Sequence, residues 1–297
     1  MSLIYHYTTI DGFMGIFSKC TKENPNVTMR ATHSMYLNDP SEYKLGREIC
    51  KKILLEVEAE LEIPEHKRLS KAIYSPERVQ HREFADYIFS TIPDTLDWGM
   101  PYLFSLSKNK DCLPMWTTYA KNGQGLALGF DMDKLRIEHT NLKIENCCYD
   151  VVTDTNFMIR RNKIKERCRS LYENRKDDED NENDVLIEFK YGMWYSIFRD
   201  ELLYIKHHGY DYEREVRCVA VKDKRNDSED VILFRNSSNM IIPYVERHID
   251  VNCLKRIVIG PCADKEKMRS SLIMFLKDKI ENISSLDIVN SKIPYVG

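Results

Sequence analysis

The sequence has no arrangement of cysteines that would staple a fold or hold zinc by a local motif. Its nine cysteines are odd in number and irregular in spacing; Cys147 and Cys148 are adjacent, and neither C-x-x-C nor a Cys/His zinc spacing occurs. A disulfide framework is thereby excluded, and reduced thiols in a cytoplasmic protein are expected. The start of the chain shows no charged region followed by an apolar one, and no apolar run reaches the length of a membrane span. Neither a signal peptide nor a membrane partner is expected. Charge of one sign is also lacking: the net value is −3, so bulk electrostatics give nucleic acid no support as a partner. Glycine is scarce at 11 residues, and none completes a P-loop or a G-x-G-x-x-G after a strand. There is no G-x-S-x-G elbow, and no cysteine has a recognisable histidine partner, so serine and cysteine nucleophiles are not supported.

What is there suffices for a folded core. Apolar residues make up 42% of the chain, and 17 tyrosines offer amphipathic pocket or core surface. Alternation places a strand over 3–8, with Ile4, His6 and Thr8 on one face and Leu3, Tyr5 and Tyr7 on the other. A short helix follows, capped by Thr9 or Asp11. Extended chain over 27–36 leads to Asn38 and Asp39, where Asp39 and Glu42 around Pro40 resemble a capping box. That junction would fix Asn38 and Asp39 rigidly, which suits a ligand site. Helices are expected over 43–61 and 76–90, and a strand over 102–107. Pro114 opens a short helix with Trp116, Tyr119 and Ala120 on one face, and Gly123 stops it. A strand over 125–130 has glycines that permit close backbone approach. Helices over 154–172 and 185–206 flank a charge run at 173–184. Strands follow at 231–234, at 241–245 (edge-type, because of Pro243) and at 254–259, then a helix over 264–280 and a last strand over 286–289. The fold class expected is α+β: a mixed, largely antiparallel central sheet flanked by helices. It forms a single domain over 1–297 with a helical insertion at 151–209.

The chemistry centres on Tyr210-Asp211-Tyr212-Glu213-Arg214-Glu215-Val216-Arg217-Cys218-Val219-Ala220-Val221. Its second half reads as a buried strand. Alternation puts Glu213, Glu215 and Arg217 on one side, with the carboxylates about 7 Å apart. An exposed ion-pair ladder is one reading. A carboxylate positioned for work, held by Arg217 or Arg214, is the other. Trp116 and Tyr119 serve either as packing or as a stacking surface for a base or nicotinamide.

Several stretches together resemble the bacterial family catalogued as domain of unknown function 2971. They are Tyr5-His6-Tyr7-Thr8, Leu37-Asn38-Asp39-Pro40-Ser41-Glu42, Phe104-Ser105, Met115-Trp116-Thr117-Thr118-Tyr119-Ala120, Gly125-Leu126-Ala127-Leu128-Gly129-Phe130, Tyr212-Glu213-Arg214-Glu215-Val216-Arg217 and Ile257-Val258-Ile259-Gly260-Pro261. The resemblance implies a bacterial or phage-associated cytosolic protein of one domain, associated with mobile or defence regions, and it implies no reaction. The layout is also similar to the ADP-ribosyltransferase group, including its DNA-targeting toxins. That likeness implies NAD as substrate, with no metal. His6 would then bind the nicotinamide-side ribose, and Ser105 or Tyr119 would lie near the nicotinamide. Glu213 or Glu215 would orient the ribose hydroxyl and stabilise an oxocarbenium-like transition state. Tyr7, Thr8, Asn38, Asp39, Trp116 and Arg217 complete the candidate binding set for a nucleotide ligand, and the macromolecular acceptor is open. Two other classes remain. One is a metal-dependent nuclease or hydrolase using Asp39, Glu42, Glu213 and Glu215 as Mg²⁺ ligands. The other is a non-catalytic ligand-binding module.

Overall fold

A computed structural model describes residues 2–37, 41–70, 73–74, 82–83, 101–173, 197, 200–221, 230–237 and 240–295. Contacts divide the chain into two compact units. The first comprises Met1–His33, Pro101–Cys147 and Gly209–Gly297; the second comprises Ser34–Met100 and Cys148–His208. The insertion expected at 151–209 falls almost wholly in the second unit, and residues 34–100 join it there.

The first unit is built on a mixed, mostly antiparallel sheet of ten strands, as expected of an α+β chain. In chain order its elements are β1 (Leu3–Thr8), α1 (Ile10–Ile16) and β2 (Asn26–His33), all from the first segment. The second unit supplies the next elements of the chain: α2 (Ser41–Glu60), β3 (Ile73–Tyr74) and β4 (Arg82–Glu83). The first unit resumes with β5 (Tyr102–Ser107), α3 (Leu113–Tyr119), β6 (Leu126–Asp131), α4 (Met132–Glu138) and β7 (Leu142–Asn146). The second unit adds β8 (Cys148–Tyr149), α5 (Thr155–Glu173) and β9 (Ile205–Lys206). The first unit ends with β10 (Glu215–Ala220), β11 (Leu233–Ser237), β12 (Met240–Asp250), β13 (Leu254–Ile259), α6 (Lys265–Lys277) and β14 (Asp287–Asn290).

The sheet order is β11-β12-β2-β5-β1-β6-β13-β14, with β10 pairing β5 and β7. Strand β5 is the branch point. Leu103 pairs with both Thr32 of β2 and Val219 of β10, and Ser107 pairs with both Tyr5 of β1 and Glu215 of β10. A strand has two edges. Strand β10 therefore occupies one edge, and β1 and β2 share the other, leaving the middle of β5 without a ladder partner on that side among the described residues. One face of β1 buries Ile4 with Phe13 and Phe17 around α1 and with Leu272 and Leu276 of α6. Tyr5 and Tyr7 pack on the opposite face with Met115, Trp116, Ala120, Ala127 and Val258. Each such fully buried large apolar side chain contributes about 1.5–3 kcal/mol.

Local chemistry sets the ends of these elements. The Thr9 hydroxyl accepts from the Gly12 amide and caps α1, and Asp264 caps α6 through the Lys267 amide. The strand, helix and strand expected at 254–289 form a βαβ unit, with β13 and β14 parallel around α6. Pro243 sits where β12 pairs with β11 alone, although β12 as a whole lies between β11 and β2. The strand tolerates the proline because pairing with β2 starts only at Tyr244.

In the second unit α2 packs on α5, and α5 begins where Asp154 accepts the Asn156 amide. The buried Glu58 carboxylate accepts from the Ser70 amide at 2.8 Å and the Tyr172 hydroxyl at 2.5 Å. The helix expected over 76–90 is described only at Arg82–Glu83. Those residues are a strand paired with Ile73–Tyr74, and the rest of 75–90 lies outside the described residues. Of the helix expected over 185–206, residues 197 and 200–206 are described: Ile197 and Asp200 are helical, and Leu202–Tyr204 form a 3-10 helix. Ile205–Lys206 then form a strand parallel to Cys148–Tyr149, a geometry that suits β-branched Ile205. The charge run at 174–184 lies outside the described residues. No helix among the described residues is long and apolar enough to cross a membrane, and none of the nine cysteines forms a disulfide.

Candidate functional site

The site grows from the branch at β5. Where β5 lacks a ladder partner, its main-chain carbonyl at Ser105 still needs a donor. The His6 imidazole supplies it, with Nδ1 3.1 Å from that oxygen. A carbonyl only accepts, so Nδ1 carries the proton and Nε2 presents a bare lone pair. Nε2 has no hydrogen-bond partner among the described residues. Burial lowers the His6 pKa below its ordinary value, against the opposing pull of the Ser105 carbonyl, so the ring is neutral at pH 7.

The same serine works in a second direction. Its hydroxyl donates to Glu215 Oε1 across the β5–β10 pair. Arg217, two residues along β10, bonds both oxygens of that carboxylate: Nε to Oε1 at 3.0 Å and Nη2 to Oε2 at 3.4 Å. Glu215 is 5% exposed and Arg217 2%, so this pair is buried rather than a ladder on a solvated face. The guanidinium satisfies the charge that burial would otherwise make costly.

Glu213 departs from the alternation expected of it. It closes a 3-10 helix, His208–Glu213, and Arg214 follows at φ +42°. An L-residue there costs about 1–2 kcal/mol. Backbone bonds compensate, from the Arg214 amide to the Asp211 carbonyl and from the Lys108 amide to the Arg214 carbonyl, each at 3.1 Å. The reversal turns Glu213 out of the strand's register and towards α3, where the Tyr119 hydroxyl donates to Oε1 at 2.8 Å. Glu213 is buried as well, and its carbonyl accepts from the Ser107 hydroxyl at 2.5 Å.

Trp116 is fully buried. Its indole N–H donates to Asp111 Oδ1 at 2.7 Å, and its ring stands edge-on to Tyr7 with centroids 4.8 Å apart. Alternation puts His6 and Tyr7 on opposite faces of β1. The indole is thus packing behind Tyr7, and the imidazole and indole do not enclose one ring from two sides. Tyr7 donates to the Asn109 carbonyl at 2.9 Å, and burial above all raises its hydroxyl pKa. Thr8 is buried, and its carbonyl faces Gly125, where an added Cβ would come within 2.2 Å. His6, Ser105, Glu215 and Arg217 thus form one bonded set, with Tyr119 of α3 and Glu213, just before β10, as a second pair. Asn38 and Asp39 lie outside the described residues.

Sequence reasoning missed Asp111 and Asn109. Asp111 also accepts from the Ser291 hydroxyl and the Lys292 amide, and Asn109 donates to the Tyr212 carbonyl at 2.6 Å. The available signal was the run Lys108-Asn109-Lys110-Asp111 directly after a strand, where Asn and Asp side chains organise turns. For the Mg²⁺ reading, both Glu215 oxygens are bonded to a guanidinium. Among the described residues, the groups spaced to hold a metal are Glu138 with His139 and Cys253, and Asp150 with His207 and His208; neither contains Glu213 or Glu215.

The site is thus a buried acid bonded to a hydroxyl and a guanidinium, on a mostly antiparallel α+β sheet. Residues 115–218 match the family described as a protein of unknown function (DUF2971), the family whose motifs the sequence resembles. No curated protein and no solved structure matches the chain significantly.

Proposed function

We propose that the protein consumes NAD in the cytoplasm, transferring the ADP-ribosyl group to an acceptor or to water. The observation that carries this reading is the bonded set of His6, Ser105, Glu215 and Arg217, drawn from three strands far apart in sequence. In the reaction the bond from the anomeric carbon to nicotinamide breaks, and its electron pair leaves with nicotinamide. The positive charge that develops on the ribose is closed by an acceptor lone pair, and the acceptor releases one proton. A preorganised, buried carboxylate stabilises that developing charge without reorganising. Glu215 fits the role because Ser105 and Arg217 fix it; Glu213, held by Tyr119, is the competing acid. The bare Nε2 of His6 fits as acceptor for a ribose hydroxyl.

Incubation of the full chain with NAD, with protein and nucleic-acid acceptors present in separate reactions, tests the proposal by chromatographic release of nicotinamide. Glu215→Gln is expected to slow release at least ~100-fold, and a comparable loss in Glu213→Gln instead would reassign the acid. No release with any acceptor or with NAD alone overturns the proposal. One observation favours a second reading, a ligand-binding module without catalysis: both acids already hold protein partners. Thermal stabilisation by NAD without turnover would select it.

A further inference from the structure

Away from this site, three metal-ligating side chains meet where α4 ends. Glu138 is the last residue of α4, His139 is its C-cap, and Cys253 closes the 3-10 turn Val251–Cys253 that joins β12 to β13. Cys253 Sγ lies 3.2 Å from Glu138 Oε2 and 3.8 Å from His139 Nε2. Zinc bonds of about 2.0–2.3 Å at tetrahedral angles separate neighbouring ligand atoms by about 3.5 Å, so both distances match one edge of such a polyhedron.

The imidazole has the protonation pattern a metal needs. Nε2 accepts from the Asp250 backbone amide at 3.4 Å. An amide only donates, so the proton sits on Nδ1 and Nε2, 3.8 Å from Cys253 Sγ, keeps the lone pair that a metal needs. A contact that long is weak and readily exchanged for a metal bond. The other Glu138 oxygen lies 3.4 Å from Lys134 Nζ, which leaves Oε2 to face the sulfur. Cys253 is buried while Glu138 is exposed, so an ion can enter from the carboxylate side.

We propose that Glu138, His139 and Cys253 bind a zinc-like divalent transition-metal ion, with water as the fourth ligand. On binding, the Cys253 S–H bond breaks as the metal–sulfur bond forms, and the thiol proton leaves to solvent. The ion would tie the end of α4 to the junction of β12 and β13. No local motif could reveal this set, because more than a hundred positions separate Cys253 from the other two. Asp150, His207 and His208 form the competing destination. Both of those imidazoles are exposed, and the Asp150 carboxylate already accepts from the His208 amide and faces its Nδ1.

Chelator-stripped full-length protein, dialysed against Zn²⁺ and then counted by atomic emission, should retain one ion. Co²⁺ in its place should give a thiolate-to-metal charge-transfer band. Cys253→Ser should abolish the band, and His139→Gln should weaken retention at least tenfold, while the double change His207→Ala/His208→Ala should alter neither. Should the buried serine variant fail to fold, the half-buried His139→Gln carries the test with the Co²⁺ band. A folded wild type with no retained ion, an ion without the band, or an ion lost only with His207 and His208 overturns the proposal.

Discussion

His6 combines partial burial with a fixed tautomer, and both leave a mark on stability. Its pKa in the native state lies below the ordinary value of 6.5, so the unfolded chain takes up a proton first as pH falls. The stabilisation is therefore complete above about 6.5 and is lost progressively as pH falls towards the lowered native pKa. Urea midpoints measured from pH about 7.5 down to about 5.5 should decline. His6→Gln, which keeps a donor for the Ser105 carbonyl but cannot titrate, should flatten that decline; an unchanged slope would place the titrating group elsewhere. Glu213 shows the limit of reading single residues. Alternation predicted it beside Glu215, but the left-handed Arg214 reverses the chain between them. Positive φ favours glycine, so nothing at an arginine announces it in the sequence.

At the scale of elements, most strands were legible because apolar alternation and β-branched residues recur with period two. Strands β1, β5, β6, β10 and β13 fall where that pattern puts them. What was not legible is which strand pairs with which. The branch at β5 depends on long-range pairing that no local period encodes, and Pro243 marks only the start of β12, which β2 does not pair, while the strand as a whole lies between two neighbours. The close approach expected of the glycines is real at Gly125, where a Cβ would meet the Thr8 carbonyl at 2.2 Å and the Ala120 Cβ at 3.0 Å. Gly125→Ala should therefore cost about 1–3 kcal/mol, the usual range for overpacking. The denaturant midpoint reads this directly, and a neutral result would mean that β1 and β6 can separate at that end without penalty.

For the whole molecule, the family match and the folding unit do not coincide. Residues 115–218 run from within α3, through the second segment of the second unit, to β10. They leave out β1 and β13, the two neighbours of β6, and β5, one of the two neighbours of β10. Expressed alone, that stretch should give no cooperative thermal transition by circular dichroism, whereas the full chain should. A sharp melt of the fragment would show that those strands need no flanking partners.

Ser105 grips one neighbour with its main chain and another with its side chain. Mutation can reach only one of these. Any replacement at this position keeps the peptide oxygen that orients the imidazole, while the hydroxyl that steadies the acid is open to loss or exchange. Along a lineage or in an engineered variant, the acid's surroundings can thus drift while the ring's aim stays put, because the backbone oxygen that sets the aim does not depend on which amino acid is encoded.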